Sequence, residues 1–438
     1  MFVLTDFDGG AVRLARAWLV VGIAALAGAG LLAILLAFAR TPGIQDLMPA
    51  GEFFRSALIV HVDLSVLIWF MAFAALLWSL ASGGRWLAAG RAGVGLAAVG
   101  SLLMVISPFV GGSRPLLNNY VPVLHQPLFL AGLGMAGSGF TVAMLRALLN
   151  VRPSASDPAR LAVHLSVVTG AVALSVVVFA GVTMPDNFEG QGYFEMLFWG
   201  GGHVLQFQHA LLAALAWLWL ATDCGAAPRL SGGLAAGWFT LAALPVVAVP
   251  VILASAPVGS GEHIAAFAKL MEFGHPLMLP LLLTGLVSLW RARGIRSPAK
   301  SALAASLLLF VVGGVLGYLI RGVNVVIPAH YHGAIVGITL AFMGLTYVLL
   351  PRLGYTAPSG RLARLQPFVY GGGQLLHILG LAWSGGYGVQ RKVAGAEQML
   401  VTLPQKLGMG LMGLGGLIAV IGGVMFVVVC LRAMLSRR

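Results

Sequence analysis

Long apolar stretches separated by short polar joints run the whole length of the chain. A helix needs about 20 apolar residues to cross a bilayer. Twelve stretches meet that length, at 12–40, 53–82, 85–111, 119–147, 160–184, 192–222, 233–257, 263–290, 300–320, 330–350, 366–386 and 405–432. In lipid the backbone must satisfy its own polar groups, so each stretch predicts a helix. The expected fold is all-α: a polytopic membrane protein in which residues 1–438 form a single twelve-helix domain. No soluble domain, and no linker long enough to join one, interrupts the pattern.

Composition agrees. Of 438 residues, 59% are hydrophobic and only 9% charged, with a mean hydropathy of +0.96. Soluble domains carry about 25% charged residues. The formal net charge of +13 would suit nucleic acid if it were gathered on one element. It is not. With the N-terminus inside, 18 of the 26 basic residues fall in the tails and the inner loops, from Arg13 and Arg16 through Arg291, Arg293 and Arg296 to Arg437 and Arg438. The positive-inside rule then places both termini in the cytoplasm. Cys224 and Cys430 are far apart, and no CxxC or CxxCH occurs, which excludes a zinc ribbon and a covalently attached haem on this chain. The 59 glycines are spread through the stretches, as close helix packing in a bilayer asks.

The chemistry lies in the ten histidines. His330-Tyr331-His332 opens the tenth stretch. Two positions along an α-helix is about 200° of rotation, so the two imidazoles face opposite sides. One helix can thus ligate a group on either flank, and neutral imidazole is a common ligand of haem iron. Ionisable residues at membrane depth are usually functional. On the expected topology most of the ten gather in the outer half of the membrane; His164 is the clear exception and His209 lies near mid-depth. For His125, His164, His209 and His377 a packing role is the simpler reading.

Four segments together carry a resemblance. They are SALIVHVDLSVLIWF around His61, FWGGGHVLQF around His203, PAHYHGAIVGITLAFMGLTYVLLPRLG around His330 and His332, and HILGLAWSGGYGVQRK, which ends in Arg391 and Lys392. With twelve spans, the chain resembles subunit I of the haem-copper oxidase superfamily, which includes oxygen reductases and bacterial nitric oxide reductases. The resemblance implies two haems, expected to be b-type. His61 and His332 would ligate the low-spin haem and His330 the high-spin haem, whose open face takes a diatomic gas. His203 would ligate a non-haem metal facing that haem, and Arg391 and Lys392 would meet haem propionates. A cytochrome c-type subunit or quinol would supply electrons.

Two departures from the family pattern stand out. The seventh stretch, where the family carries two adjacent histidines as metal ligands, has none; Glu262-His263 follows it instead. A metal bound by His203, His263 and Glu262 would suit non-haem iron better than copper. Glu262 and His263 as plain loop residues would leave the site degenerate. The family's oxygen reductases also use a tyrosine on the sixth or seventh span, yet Phe207 stands four residues after His203 and the seventh stretch has no tyrosine. Nitric oxide reductases resemble the chain in lacking that tyrosine, in using iron, and in placing glutamates near it. Glu195 and Glu272 are the expected proton-delivering or ligating carboxylates, against the simpler reading of interhelical hydrogen bonding. Asp63 would point away from the haem that His61 binds. Three functions stay open: reduction of NO, which these departures favour; reduction of O2 at an atypical metal site; and a haem-only protein of electron transfer or gas sensing with no turnover.

Overall fold

The computed structural model describes residues 2–5, 7–47 and 52–436. Arg437 and Arg438, counted above among the inner basic residues, lie outside the described residues. Twelve long helices follow in order: α1 (Gly9–Arg40), α2 (Phe53–Ser82), α3 (Leu87–Phe109), α4 (Pro127–Asn150), α5 (Pro158–Thr183), α6 (Gly190–Asp223), α7 (Gly232–Ser255), α8 (Gly261–Arg291), α9 (Pro298–Tyr318), α10 (Val326–Arg352), α11 (Gly360–Gly386) and α12 (Leu403–Leu435). Eleven of them, all but α11, are long and apolar enough to cross a membrane. α11 is 27 residues long and is interrupted by polar groups such as Gln366 and Gln374.

The expected fourth stretch, 119–147, is corrected at its start. Residues before Pro127 are not helical. They belong to an antiparallel hairpin, β1 (Arg114–Leu116) and β2 (Val123–His125), paired Arg114 with His125 and Leu116 with Val123. Pro127 opens the helix at a position where its missing N–H costs nothing. His125, placed by the sequence at a helix end, is therefore an exposed hairpin residue.

Prolines also break two spans internally. A tight 3-10 turn at Leu244–Ala248 follows from Pro245 in α7, and another at His275–Met278 from Pro276 in α8. In α2 the residues Asp63–Ile68 form a π-helical turn directly after His61. Asp63 is buried there, and neither carboxylate oxygen has a hydrogen-bond partner.

Three spans are enclosed by others. In the apolar stretches of α2, α6 and α10, 83%, 89% and 89% of residues are buried, against 28–50% in the other eight apolar spans. These are the helices that carry His61, His203 and the His330/His332 pair.

The helices fall into two compact units. One comprises Met1–Gly22, Leu67–Trp219 and Pro228–Val287; the other comprises Ile23–Val66, Leu220–Ala227 and Ser288–Arg438. In the first, α3 and α4 approach through Gly93, Gly100, Gly132 and Gly139, where an added Cβ would meet the opposing backbone. In the second, Gly373, Gly380 and Gly415 do the same between α11 and α12, and Gly313 and Gly333 between α9 and α10. With no apolar driving force between helices in lipid, such close backbone approach is what holds them together.

Candidate functional site

In the second unit His61, His332 and His377 converge with Arg40, close enough for their charges to interact. Each imidazole is anchored through Nδ1. His61 Nδ1 donates to the Ala29 carbonyl at 2.9 Å, His332 Nδ1 to Pro328 at 2.9 Å and His377 Nδ1 to Met412 at 3.0 Å. A carbonyl only accepts, so Nδ1 carries the proton and Nε2 keeps its lone pair for a ligand. The ring of His377 lies 5.1 Å from that of His332.

His330 faces elsewhere. Its Nδ1 donates to the Gly313 carbonyl of α9 at 2.7 Å. A Cβ on Gly317 would stand 2.7 Å from the same nitrogen, so the bare glycine face of α9 is what admits the ring. His330 thus turns to α9 and His332 to His377 of α11, the opposite-faced arrangement that the HxH spacing predicts.

Arg391 is half-buried near Tyr331, and Lys392 follows it in a left-handed conformation, φ 62°. Arg40, at the end of α1, also reaches Tyr331. Its guanidinium donates to the Gln390 carbonyl at 3.5 Å, and its Nε has no partner. The sequence shows Arg40 only as one more basic residue at a helix end; its nearness to His332 depends on how α1 packs.

The first unit holds the other histidines of interest. His203 is 4% exposed, with Nδ1 donating to Trp199 O at 2.7 Å. His263 is fully buried, with Nδ1 against Ala256 O at 3.3 Å. Phe267 lies by both rings, 6.2 Å from His203 and 5.0 Å from His263. The Nε2 of His263 is buried and has no hydrogen-bond partner. Ser260 caps the start of α8 by accepting from His263 N at 3.1 Å, and that cap fixes where His263 enters the helix.

The carboxylates stand apart from this pair. Glu262 is exposed on the first turn of α8, where its charge suits the helix N-terminus. Glu272 is exposed on the outward face of α8, as is Lys269. Glu195 accepts from the backbone and the side-chain amide of Asn119. Among the described residues no group of three or more His, Cys, Asp or Glu is arranged to hold a metal ion. His203 and His263 lie close enough for their charges to interact; the structure does not bring Glu262 to them as the third donor that the sequence suggests.

One neighbour is missed by sequence reasoning. Tyr120, between the strands of the hairpin, packs its ring 4.7 Å from the His203 ring and 5.9 Å from Trp199. Burial, with the Glu195 carboxylate nearby, pushes its phenol well above the ordinary value, so it stays protonated at neutral pH. Phe207, 1% exposed, packs edge-on to His275 at 4.5 Å, and no tyrosine from α6 takes that place.

The spans define a membrane-embedded helical protein with buried histidines, and comparison with known proteins gives the family. Residues 13–425 match the family described as Cytochrome C and Quinol oxidase polypeptide I, and the chain belongs to it. It is a haem-copper oxidase subunit I by family, and the family is one of membrane respiratory oxidoreductases. An uncharacterized protein of Rickettsia prowazekii (strain Madrid E) is 30% identical, with 96% of each chain covered. An uncharacterized protein of Aquifex aeolicus (strain VF5) is 29% identical over 80% of this chain and 88% of its own. A heme-copper terminal oxidase dimer solved by cryo-EM has the same fold, with a TM-score of 0.72 over 98% of this chain and 85% of that chain at 14% identity.

Proposed function

We propose that the chain is the di-haem catalytic subunit of a membrane gas reductase, with NO as its substrate. His61 and His332 hold the low-spin haem and His330 the high-spin haem. The observation that carries this reading is the shared anchoring of these three imidazoles by Nδ1 on backbone carbonyls, which leaves Nε2 directed away from the chain's own hydrogen bonds. Haem iron supplies the one-electron and gas-binding chemistry. The protein orients the ligands, buries them, and offers Arg40, Arg391 and Lys392 as cations for propionates. His203 and His263 are the proposed ligands of a non-haem metal, iron being favoured over copper. Glu195 and Glu272, one tied to Asn119 and the other facing outward, are not assigned a proton-delivering role. Electrons come from a cytochrome c-type partner or quinol, in a bacterial inner membrane with both termini cytoplasmic.

NO is favoured because no tyrosine from α6 or α7 stands beside His203. The test is direct. Reduced protein given NO is expected to release N2O, and to contain about three irons per chain, two of them haem, with little copper. One copper per chain and turnover with O2 alone would overturn the assignment. One observation favours that second reading, O2 reduction: the phenol of Tyr120 lies against His203.

A further inference from the structure

The hairpin that precedes α4 does more than connect two spans. Its tip is docked on the N-terminal turns of α6. Asn118 donates to the Val121 carbonyl and, at 3.5 Å, to Phe194 O. Asn119 donates its backbone N–H to Glu195 at 3.0 Å and its side-chain amide to the other carboxylate oxygen. Both carboxylate oxygens of Glu195 are thus engaged by Asn119, which ties the tip to α6. The next residue, Tyr120, is thereby delivered onto His203.

The sequence Gly200-Gly201-Gly202 makes room for it. A Cβ on Gly202 would coincide with the Tyr120 ring, contacting Cγ and Cδ1. A Cβ on Gly200 would stand 2.8 Å from Phe267, and one on Gly201 would meet Val177. The run of glycines therefore lets rings close around His203 from several directions. Tyr120, Trp199 and Phe267 all lie within 6.2 Å of its centroid, and the imidazole is left 4% exposed. The Trp199 carbonyl fixes one nitrogen, and the rings fix the plane.

We propose that Tyr120 is a positioning residue that caps His203, held in place by the Glu195–Asn119 anchor, and that this cap sets how firmly His203 keeps a metal. The metal clause rests on the function proposed above; the capping clause does not. The phenol hydroxyl is not needed for it, because the contact is made by the ring.

Two measurements on the purified full-length protein separate the clauses. The first is the rate at which non-haem metal is lost to EDTA, followed by metal analysis. The second is the rate at which diethyl pyrocarbonate modifies His203, read by peptide mass spectrometry, with His263 as the internal control. Tyr120→Ala and Glu195→Ala are expected to speed metal loss about tenfold or more, the usual scale for groups that orient a ligand. Both are expected to raise His203 modification several-fold and leave His263 unchanged. Tyr120→Phe is expected to match the wild type in both. Unchanged His203 modification in Tyr120→Ala would overturn the cap, as would a Tyr120→Phe variant that behaves like Tyr120→Ala. A variant that exposes His203 and His263 equally has lost its fold around the site, and that outcome counts against a local cap. A wild type with no non-haem metal would overturn the metal reading, and the modification rates alone would then decide the cap.

Discussion

Each imidazole in the second unit is committed at one nitrogen and uncommitted at the other. That division follows from the carbonyls of Ala29, Pro328, Gly313 and Met412, which accept from Nδ1 and fix the tautomer. The opposite facing of His330 and His332 was legible because spacing along a helix converts directly into direction, whereas His61 was picked out by the resemblance of the segment around it. It did not make His377 legible as a neighbour of His332, because that 5.1 Å approach depends on how α11 packs against α10. Tyr120 and Arg40 were hidden for the same reason. One sits on a loop and one at a helix end, and neither shows a periodicity that points anywhere. At this scale the account is tested by His332→Ala and His61→Ala. Each is expected to abolish the low-spin signal in the reduced optical spectrum and leave a haem that binds CO. A full low-spin spectrum in both variants would refute the ligand assignment.

At the scale of elements, glycine placement decides which helices can touch. Gly373 of α11 faces the Ala419 backbone nitrogen of α12, whereas Gly372, one residue earlier, has nothing within 4 Å of an added Cβ. Gly373→Ala must push two backbones apart at an overpacked contact, a cost of roughly 1–3 kcal/mol. Gly372→Ala meets no atom and is expected to be neutral or slightly stabilising through helix propensity. Thermal unfolding in detergent checks the pair: the midpoint should fall for Gly373→Ala only, and equal midpoints would contradict the packing. The elements also show where reading by hydropathy fails. Val123 and Leu124 look like the first turn of a span, yet Pro122 and Pro127 flank the segment and Val123–His125 folds as a strand. An apolar run alone does not separate a short buried strand from a helix end; the proline at the helix start does.

For the whole molecule, the number of long helices and the family were legible from sequence, because bilayer thickness fixes span length and few residues at depth are ionisable. The outward placement of Glu262 was not. It is adjacent to His263 in sequence, but on a helix adjacent residues point about 100° apart, and burying His263 turns Glu262 outward. Spacing that identified two faces at His330 and His332 was thus the signal that should have separated Glu262 from His263. The central claim, two haems of which one is open to gas, is tested most directly by haem content per chain together with CO titration of the reduced protein. The expected result is about two haems per chain and CO binding to one of them. One haem per chain, or two haems that both refuse CO, would contradict it.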